Sequence, residues 1–204
     1  MPDRPVHEPA GPTGAADAVV PDELADLAAV TAADARAYLG VVAEVASGQL
    51  DETALSVLLL ATSQALMAGA RLGAVADVVP AQRFEPDAGI DPDVDPLRLG
   101  LANVMEGLDD YADVVDPLTN ATLARGALSD DLASVAADLV HGLRHHERGN
   151  ITEALWWWQF SYLSSWGLRA TAALRVLQSL LAHLRLDVDA ETAADAEFEA
   201  LHQA

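Results

Sequence analysis

The residues with the most distinctive chemistry in this sequence form an aromatic cluster near its C-terminal end. Eleven consecutive positions hold six aromatic side chains: Trp156, Trp157, Trp158, Phe160, Tyr162 and Trp166. Residues that follow one another on an α-helix point about 100° apart, so three adjacent indoles cannot all face one side. We therefore expect a helix that is nearly surrounded by the rest of the protein, with at least one indole partly exposed.

Two interpretations of the aromatic cluster remain open. In the first, the indoles line a ligand pocket or a groove for a partner, and arginines bind an anion. In the second, which is favoured because aromatic stripes on helices usually lie in the core, the tryptophans fill an interior otherwise built from alanine and leucine. The candidate binding residues of the first interpretation are Trp156, Trp157, Tyr162, Trp166, Arg144, Arg169 and Arg71.

Three potential metal ligands recur on one predicted helical face. Asp138, His141 and His145 are spaced by three and then four residues, which places them side by side on a helix. A carboxylate-bridged metal centre in a helical bundle also needs Glu-x-x-His pairs on other helices, and the sequence has none. We therefore predict neither a metal nor another cofactor, and these three residues are weak candidates for a mononuclear metal site.

Other catalytic and binding motifs fail at specific residues. Asp91, Asp93 and Asp95 imitate the start of an EF-hand calcium loop. However, Pro96 stands where that loop needs glycine, and Ala102 stands where it needs a bidentate glutamate. The chain also has no lysine for a phosphate-binding loop, no G-x-S-x-G nucleophile elbow and no cysteine. The sequence therefore contains no recognisable catalytic constellation.

The charge balance restricts the partners that the protein can attract. The formal net charge is −21, and all 11 basic residues are arginine. Nucleic acid and anionic membrane surfaces should be repelled, whereas a basic protein surface should be attracted. The chain opens without a signal-like segment and has no apolar run long enough for a membrane span, so we expect a cytoplasmic protein. Its oligomeric state cannot be inferred from these features.

Helical periodicity accounts for most of the chain between residues 22 and 186. The clearest case is the first helix, in which seven residues share one face: Leu24, Leu27, Thr31, Ala35, Tyr38, Val42 and Val45. The predicted helices run from Pro21 to Ser47, from an N-cap at Asp51 to Gly73, from Asp95 to Asp116 at most, from an N-cap at Ser129 to Gly149, and from an N-cap at Asn150 onward. Ser164 to Gly167 is either a tight turn or a kink before the last helical segment, and a turn is favoured. No alternating pattern predicts a β-strand.

These elements predict an all-α fold, an antiparallel bundle of five or six helices. The hairpin of the fourth and fifth predicted helices, near the C-terminus, resembles one tetratricopeptide unit, although the pattern has no second copy. We expect a single helical domain over residues 22–186. It is flanked by a disordered N-terminal tail over 1–21, rich in proline and glycine, and by an acidic C-terminal tail over 187–204.

A family resemblance is carried by the segment EALWWWQFSYLSSWGLRATAALRVLQSLLAHLR, from Glu153 to Arg185, and by LVHGLRHHERGN before it. Together with LLLATSQALMAGARLG, from Leu58 to Gly73, these residues resemble the bacterial "domain of unknown function 5063" family, in an actinobacterial-type member. The resemblance covers most of residues 30–186. Many relatives have histidine at the position of Ser165, so a role of that histidine would not transfer. The family has no assigned activity, and the resemblance therefore implies no catalytic residues.

From the residues we expect a non-enzymatic protein–protein interaction or adaptor module, because an aromatic helix is carried by a strongly acidic body. The alternative is a small-molecule or anion-binding protein, or an enzyme of unknown class. That alternative requires a closed pocket in which the tryptophans meet Arg71, Arg144 or Arg169.

Overall fold

The computed structural model describes residues 21–50, 53–80, 89–116 and 120–186. Within these ranges lie six α-helices, a π-helical turn and a two-stranded sheet. In chain order the elements are α1 (Asp22–Ala46), α2 (Ala54–Ala74), α3 (Asp95–Val104), β1 (Asp110–Asp116), β2 (Asn120–Ala127), α4 (Leu128–Glu147), α5 (Ile151–Ser161), the π-turn (Tyr162–Trp166) and α6 (Gly167–Leu186). The predicted tails, apart from Pro21, and the predicted N-cap Asp51 lie outside the described residues.

The helices enclose a core of small aliphatic side chains and a few large aromatic ones. α2 and α6 are antiparallel: Arg185, late in α6, donates to Ser56 Oγ, early in α2, over 3.1 Å, whereas Tyr162, just before α6, packs against Gly69 of α2. Trp158 and Trp166 are fully buried. The prediction of a mostly helical protein is therefore confirmed.

α2 is long and apolar enough to cross a membrane, judged by length and composition alone, and among the described helices only α2 passes this test. In the structure, 39% of its most apolar window is buried. Leu58, Ala65 and Leu72 on its inner face lie in the core, and the helix packs against α1 and α6. Core helices of globular proteins share this composition, and the inner face of α2 is packed in the core like that of such a helix.

The expectation that the chain has no β-strand is wrong for Asp110–Asp116 and Asn120–Ala127. α3 ends at Val104, Gly107 adopts a φ of +81°, and an antiparallel hairpin replaces the predicted continuation of the third helix. The fold is therefore mostly helical with a small two-stranded sheet and is not all-α. Sequence reasoning missed the hairpin because its strands are rich in aspartate and alanine, which have low β-propensity.

The N-terminus of α4 is capped by a residue that is distant in sequence. Ser129, the predicted N-cap, is the second residue of the helix. Asp109, just before β1, accepts hydrogen bonds from the backbone N–H and the hydroxyl of Ser129, each over 2.7 Å. A carboxylate at this position satisfies a free helical N–H and complements the helix dipole. The cap therefore also fastens the start of the hairpin to α4.

α5 and α6 are joined by the π-turn, so the favoured break at Ser164–Gly167 is wrong and the chain remains helical there. The Gly167 N–H donates to the Tyr162 carbonyl five residues earlier, and a Cβ on Gly167 would overlap that carbonyl oxygen. Ser164 Oγ donates to the Phe160 carbonyl over 2.7 Å. Serine and glycine usually indicate turns. Here the Ser164 hydroxyl bonds a backbone carbonyl of a widened helical turn, and Gly167 leaves room for another carbonyl.

Candidate functional site

An open cavity of about 380 Å³ lies between α5 and the segment that follows α2. We call it the aromatic cleft. Its side walls contain a stacked aromatic pair, Trp156 and Phe160, whose ring centroids are 5.6 Å apart with 10° between the planes. The lining residues are Asp77, Val78, Val79, Pro80, Trp156, Gln159, Phe160 and Leu163. The cleft thus combines one carboxylate with a predominantly apolar surface.

Gln159 of α5 holds in place the segment after α2, which forms the other wall of the cleft. Its buried Oε1 accepts from the Val78 N–H over 2.8 Å, and its Nε2 donates to the Leu72 carbonyl over 2.9 Å. The side chain therefore satisfies the last turn of α2 and holds the following segment in an extended path. Sequence reasoning missed Gln159, because its partners are more than 80 residues away and its position on α5 gives no local signal.

The rim of the aromatic cleft is apolar and accessible to solvent. Phe160 is 51% exposed, Leu163 is 61% exposed and Val79 is 75% exposed. Of the described side chains that line the cleft, Asp77 alone is charged. An exposed apolar rim around a concave surface is typical of a binding site for a partner.

The candidate aromatic residues do not share one pocket. Trp156 lies in the aromatic cleft, whereas Trp157 points toward α4, donates from Nε1 to the Asp138 carbonyl over 3.0 Å and packs on the His141 ring at 3.9 Å. Tyr162 and Trp166 pack together against Gly69 of α2, with ring centroids 4.8 Å apart. Some rings therefore lie in the core, whereas Trp156 lines a surface cleft.

The three candidate arginines are engaged away from the tryptophans. Arg71 of α2 forms an ion pair with Asp34 of α1, and Arg144 of α4 donates to the Ile90 carbonyl. Arg169 of α6 pairs with Asp131 of α4 over 3.1 Å. None of these arginines lines the aromatic cleft. The pocket of tryptophans and arginines that the sequence suggested is not assembled among the described residues.

A second polar site lies where the hairpin meets α4 and α6. The Tyr111 hydroxyl donates to Asp131, a carboxylate that is only 9% exposed and that also accepts from Arg169. Burial raises the pKa of the Asp131 carboxyl, and the hydrogen bonds from Tyr111 and Arg169 oppose that rise. Burial, reinforced by Asp131, also raises the pKa of the Tyr111 hydroxyl. Clusters of this kind are candidates for functional sites because a shifted pKa marks an unusual environment.

The cavity beside this polar site has a volume of about 300 Å³, and we call it the hairpin cleft. Its lining residues are Asp110, Arg125, Gly126, Ala127, Asp130, Asp131 and Arg169. Two arginines and three aspartates are among them, so the hairpin cleft has no single sign of charge. Its residues come from four elements, β1, β2, α4 and α6. Because the sequence analysis did not predict the hairpin, it could not predict this site.

The weak metal candidates lie on one face of α4 but are differently engaged. Asp138 is hydrogen-bonded to the side chain of Ser165, and burial raises the pKa of its carboxyl. His141 packs on Trp157, and His145 is fully buried with its ring 5.3 Å from that of His141. Within the described ranges, no three histidine, cysteine, aspartate or glutamate side chains are arranged to hold a metal ion.

Comparisons with known proteins agree with this architecture. The family model described as "Domain of unknown function (DUF5063)" matches residues 22–183. The crystal structure of protein BF1032 from Bacteroides fragilis has a similar fold, with a TM-score of 0.57 and 17% sequence identity over 83% of this chain and 94% of that chain. No curated protein is significantly similar in sequence. Since the family match spans most of its length, the chain belongs to the DUF5063 family.

Proposed function

We propose that the protein is a non-enzymatic interaction module that binds a partner protein through the aromatic cleft. The observation that carries the proposal is the exposure of Phe160 and Leu163 on the rim, beside the stacked ring of Trp156. Aromatic anchors at the centre of a concave, apolar surface provide most of the binding free energy in many protein interfaces.

Burial of the rim would supply the free energy of binding. Full burial of a leucine or phenylalanine side chain stabilises by about 1.5–3 kcal/mol. Half or more of Phe160, Leu163 and Val79 is still exposed, so a partner that covered all three would gain roughly 3–6 kcal/mol from this part of the interface. Gln159 holds the opposite wall in place before a partner arrives, which lowers the entropy cost of binding.

The helical hairpin of α4 and α5 supports the cleft, and we propose that it acts as a tetratricopeptide-like unit. Gly149, with a φ of +79°, allows the short connection between the two helices. Trp158 of α5 inserts against Gly142 of α4, which directs the neighbouring residues Trp156 and Phe160 outward. The hairpin thus presents an aromatic face on a rigid support.

A second candidate function is favoured by the hairpin cleft. There, Arg169 and the buried Asp131 lie beside a cavity large enough for a small molecule, and Arg125 lies on its wall. This arrangement supports the binding of a small polar ligand that carries both an acidic and a basic group. Thermal-shift measurements with amino acids and other zwitterions test it. An increase in Tm that Arg125→Ala abolishes would favour this function over the first.

Site-specific photocrosslinking tests the leading proposal. A benzophenone amino acid is placed at position 160, in the cleft, or at Leu99 of α3, which is exposed at 64% and lies on a different helix. We expect specific crosslinks to a partner protein from position 160 and none of them from position 99. Equal crosslinking from both positions, or no crosslink from position 160 in cells of the source organism, would contradict the proposal.

A matched pair of variants links the crosslink to the cleft. Leu163→Ser removes an exposed leucine from the rim, whereas Leu184→Ser removes a similarly exposed leucine from the last turn of α6. We expect Leu163→Ser to weaken the crosslink from position 160 at least fivefold and Leu184→Ser to leave it unchanged.

A further inference from the structure

We propose that the aromatic cleft binds a positively charged side chain, arginine or lysine, of the partner protein. The inference rests on the proposed function and makes it more specific. It assigns the Trp156–Phe160 pair as the surface on which the cation lies and Asp77 as the carboxylate that faces it.

The ring geometry fits a cation at the face of the aromatic pair. Trp156 and Phe160 are nearly parallel, with an interplanar angle of 10°. Half of Phe160 is exposed, so part of the aromatic pair is accessible to a ligand. The face of an aromatic ring carries partial negative charge, and an arginine guanidinium can stack on it while its edge remains free for hydrogen bonds.

The electrostatics of the cleft favour a cation over an anion. Asp77 is a lining residue, and none of the lining residues that the structure describes is an arginine or a histidine. The cleft lies at the C-terminal end of α2, where the helix dipole places partial negative charge. Arg71, the basic residue in that last helical turn, is held in its ion pair with Asp34 of α1. A cationic guest therefore meets attraction from the carboxylate, the helix end and the rings.

The overall charge argues against two other occupants. A second copy of the protein would bring another −21 charges to the same surface, so face-to-face self-association is opposed by repulsion. An anionic ligand would be repelled by the same field and would meet no basic side chain among the described residues that line the cleft. A segment of a basic protein is the occupant whose charge and stacking chemistry both match.

Binding of arginine amide tests the inference directly. Nα-acetyl-arginine amide is titrated into the full chain, and the indole N–H resonances of the four tryptophans are followed by NMR. The matched ligand is Nα-acetyl-citrulline amide, which has the same shape and length but no charge. We expect saturable shifts at Trp156 with arginine amide, at least ~3-fold weaker binding of citrulline amide, and little change at Trp157, whose indole is bound to the Asp138 carbonyl.

Variants separate the two sources of attraction. Phe160→Leu keeps an apolar side chain but removes the aromatic face, and Asp77→Asn removes the charge. We expect each to weaken binding of arginine amide about threefold, while Asp26→Asn, an exposed change on α1, has no effect. Equal binding of the two amides, or no saturable shift at Trp156, would overturn the inference. The proposed function would survive that result if position 160 still crosslinked a partner, and it would fail if the crosslink were absent.

Discussion

The indole of Trp158 lies directly against Gly142, on the neighbouring helix α4, and donates from Nε1 to the Leu139 carbonyl over 3.1 Å. A Cβ at position 142 would overlap the indole ring. Gly142 belongs to α4 and Trp158 to α5, and the two helices pack against each other. Neither residue can therefore move without opening the core. The burial of Trp158 thus depends on the absence of a side chain at position 142 of the facing helix.

We expect Gly142→Ala to destabilise the protein by about 1–3 kcal/mol, since overpacking forces the indole out of its position. Gly40→Ala is the control, because Gly40 lies on an exposed face of α1 with no atom within 4 Å of its would-be Cβ. Alanine there should stabilise by roughly 0.5–1 kcal/mol through helix propensity. Urea denaturation measures both changes. A Gly142→Ala variant as stable as wild type would show that the two helices are not packed in this way.

Gln159 is predicted to hold both the end of α2 and one wall of the aromatic cleft. Gln159→Ala leaves a buried carbonyl at Leu72 and a buried N–H at Val78 without their partner, which should cost about 1–3 kcal/mol. Gln159→Glu keeps an acceptor for the Val78 N–H but loses the donor. Hydrogen exchange at Val78 should therefore accelerate strongly in the alanine variant and less in the glutamate variant. The exposed Gln64→Ala should change neither stability nor exchange.

Local patterns predicted the helices and failed where distant contacts decide the structure. The stripe of seven residues from Leu24 to Val45 was predicted from its spacing, and five of them are buried, whereas Leu24 and Leu27 are partly buried against the core. By contrast, the hairpin is fastened by the hydrogen bond from Tyr111 to Asp131, and the cleft wall is held by the hydrogen bond from the Val78 N–H to Gln159. Such contacts join polar residues of elements that are distant in sequence, so the periodicity of hydrophobic residues within one element cannot predict them.

The aromatic cluster shows how much of the candidate site could be predicted from the sequence. Composition indicated that three adjacent indoles must point in different directions, and they do: Trp156 lies in the cleft, Trp157 lies against α4 and Trp158 is buried. Which of them reaches the surface depends on where Gly142 and the segment after α2 lie. These positions are set by tertiary packing, which the local sequence does not show. The arginines were grouped with the tryptophans by their type, although acidic partners on neighbouring elements hold two of them elsewhere.

Alkaline pH should unfold the protein through Tyr38. Its hydroxyl is buried and donates to the Leu132 carbonyl over 3.0 Å, and burial, reinforced by the charge of Asp131, raises its pKa far above the usual value near 10. The unfolded chain therefore loses this proton first as the pH rises above 10. Stability that is fully present below pH 10 should then fall by about 1.4 kcal/mol per pH unit for each such group.

Tyr38→Phe isolates this contribution. The variant should lose about 1 kcal/mol at neutral pH, because the Leu132 carbonyl loses a hydrogen bond. Above pH 10 its stability should fall less steeply than that of wild type. Tyr111 also has a raised pKa, so a smaller slope should persist in the variant. Chemical denaturation between pH 7 and 11.5 measures the slopes, and parallel curves for the two proteins would contradict the assignment.

Gly126 is predicted to position Tyr111 for its bond to Asp131. The two residues face each other across the hairpin, and a Cβ on Gly126 would lie 2.5 Å from Cζ of the Tyr111 ring. Gly126→Ala should therefore push the ring aside and break the bond that fastens the hairpin to α4. Tyr111→Phe removes the same bond by deleting the hydroxyl while the ring remains.

If both substitutions act through this one bond, their effects on stability should not add. Each single variant should cost about 1–3 kcal/mol, and amide exchange in β1 and β2 should accelerate while exchange in α1 remains slow. In the double variant the phenylalanine ring has no bond left to lose, so the second change should cost about 1 kcal/mol less than it does alone. Fully additive losses would mean that Gly126 supports the hairpin by its backbone conformation and not by the position of the Tyr111 hydroxyl.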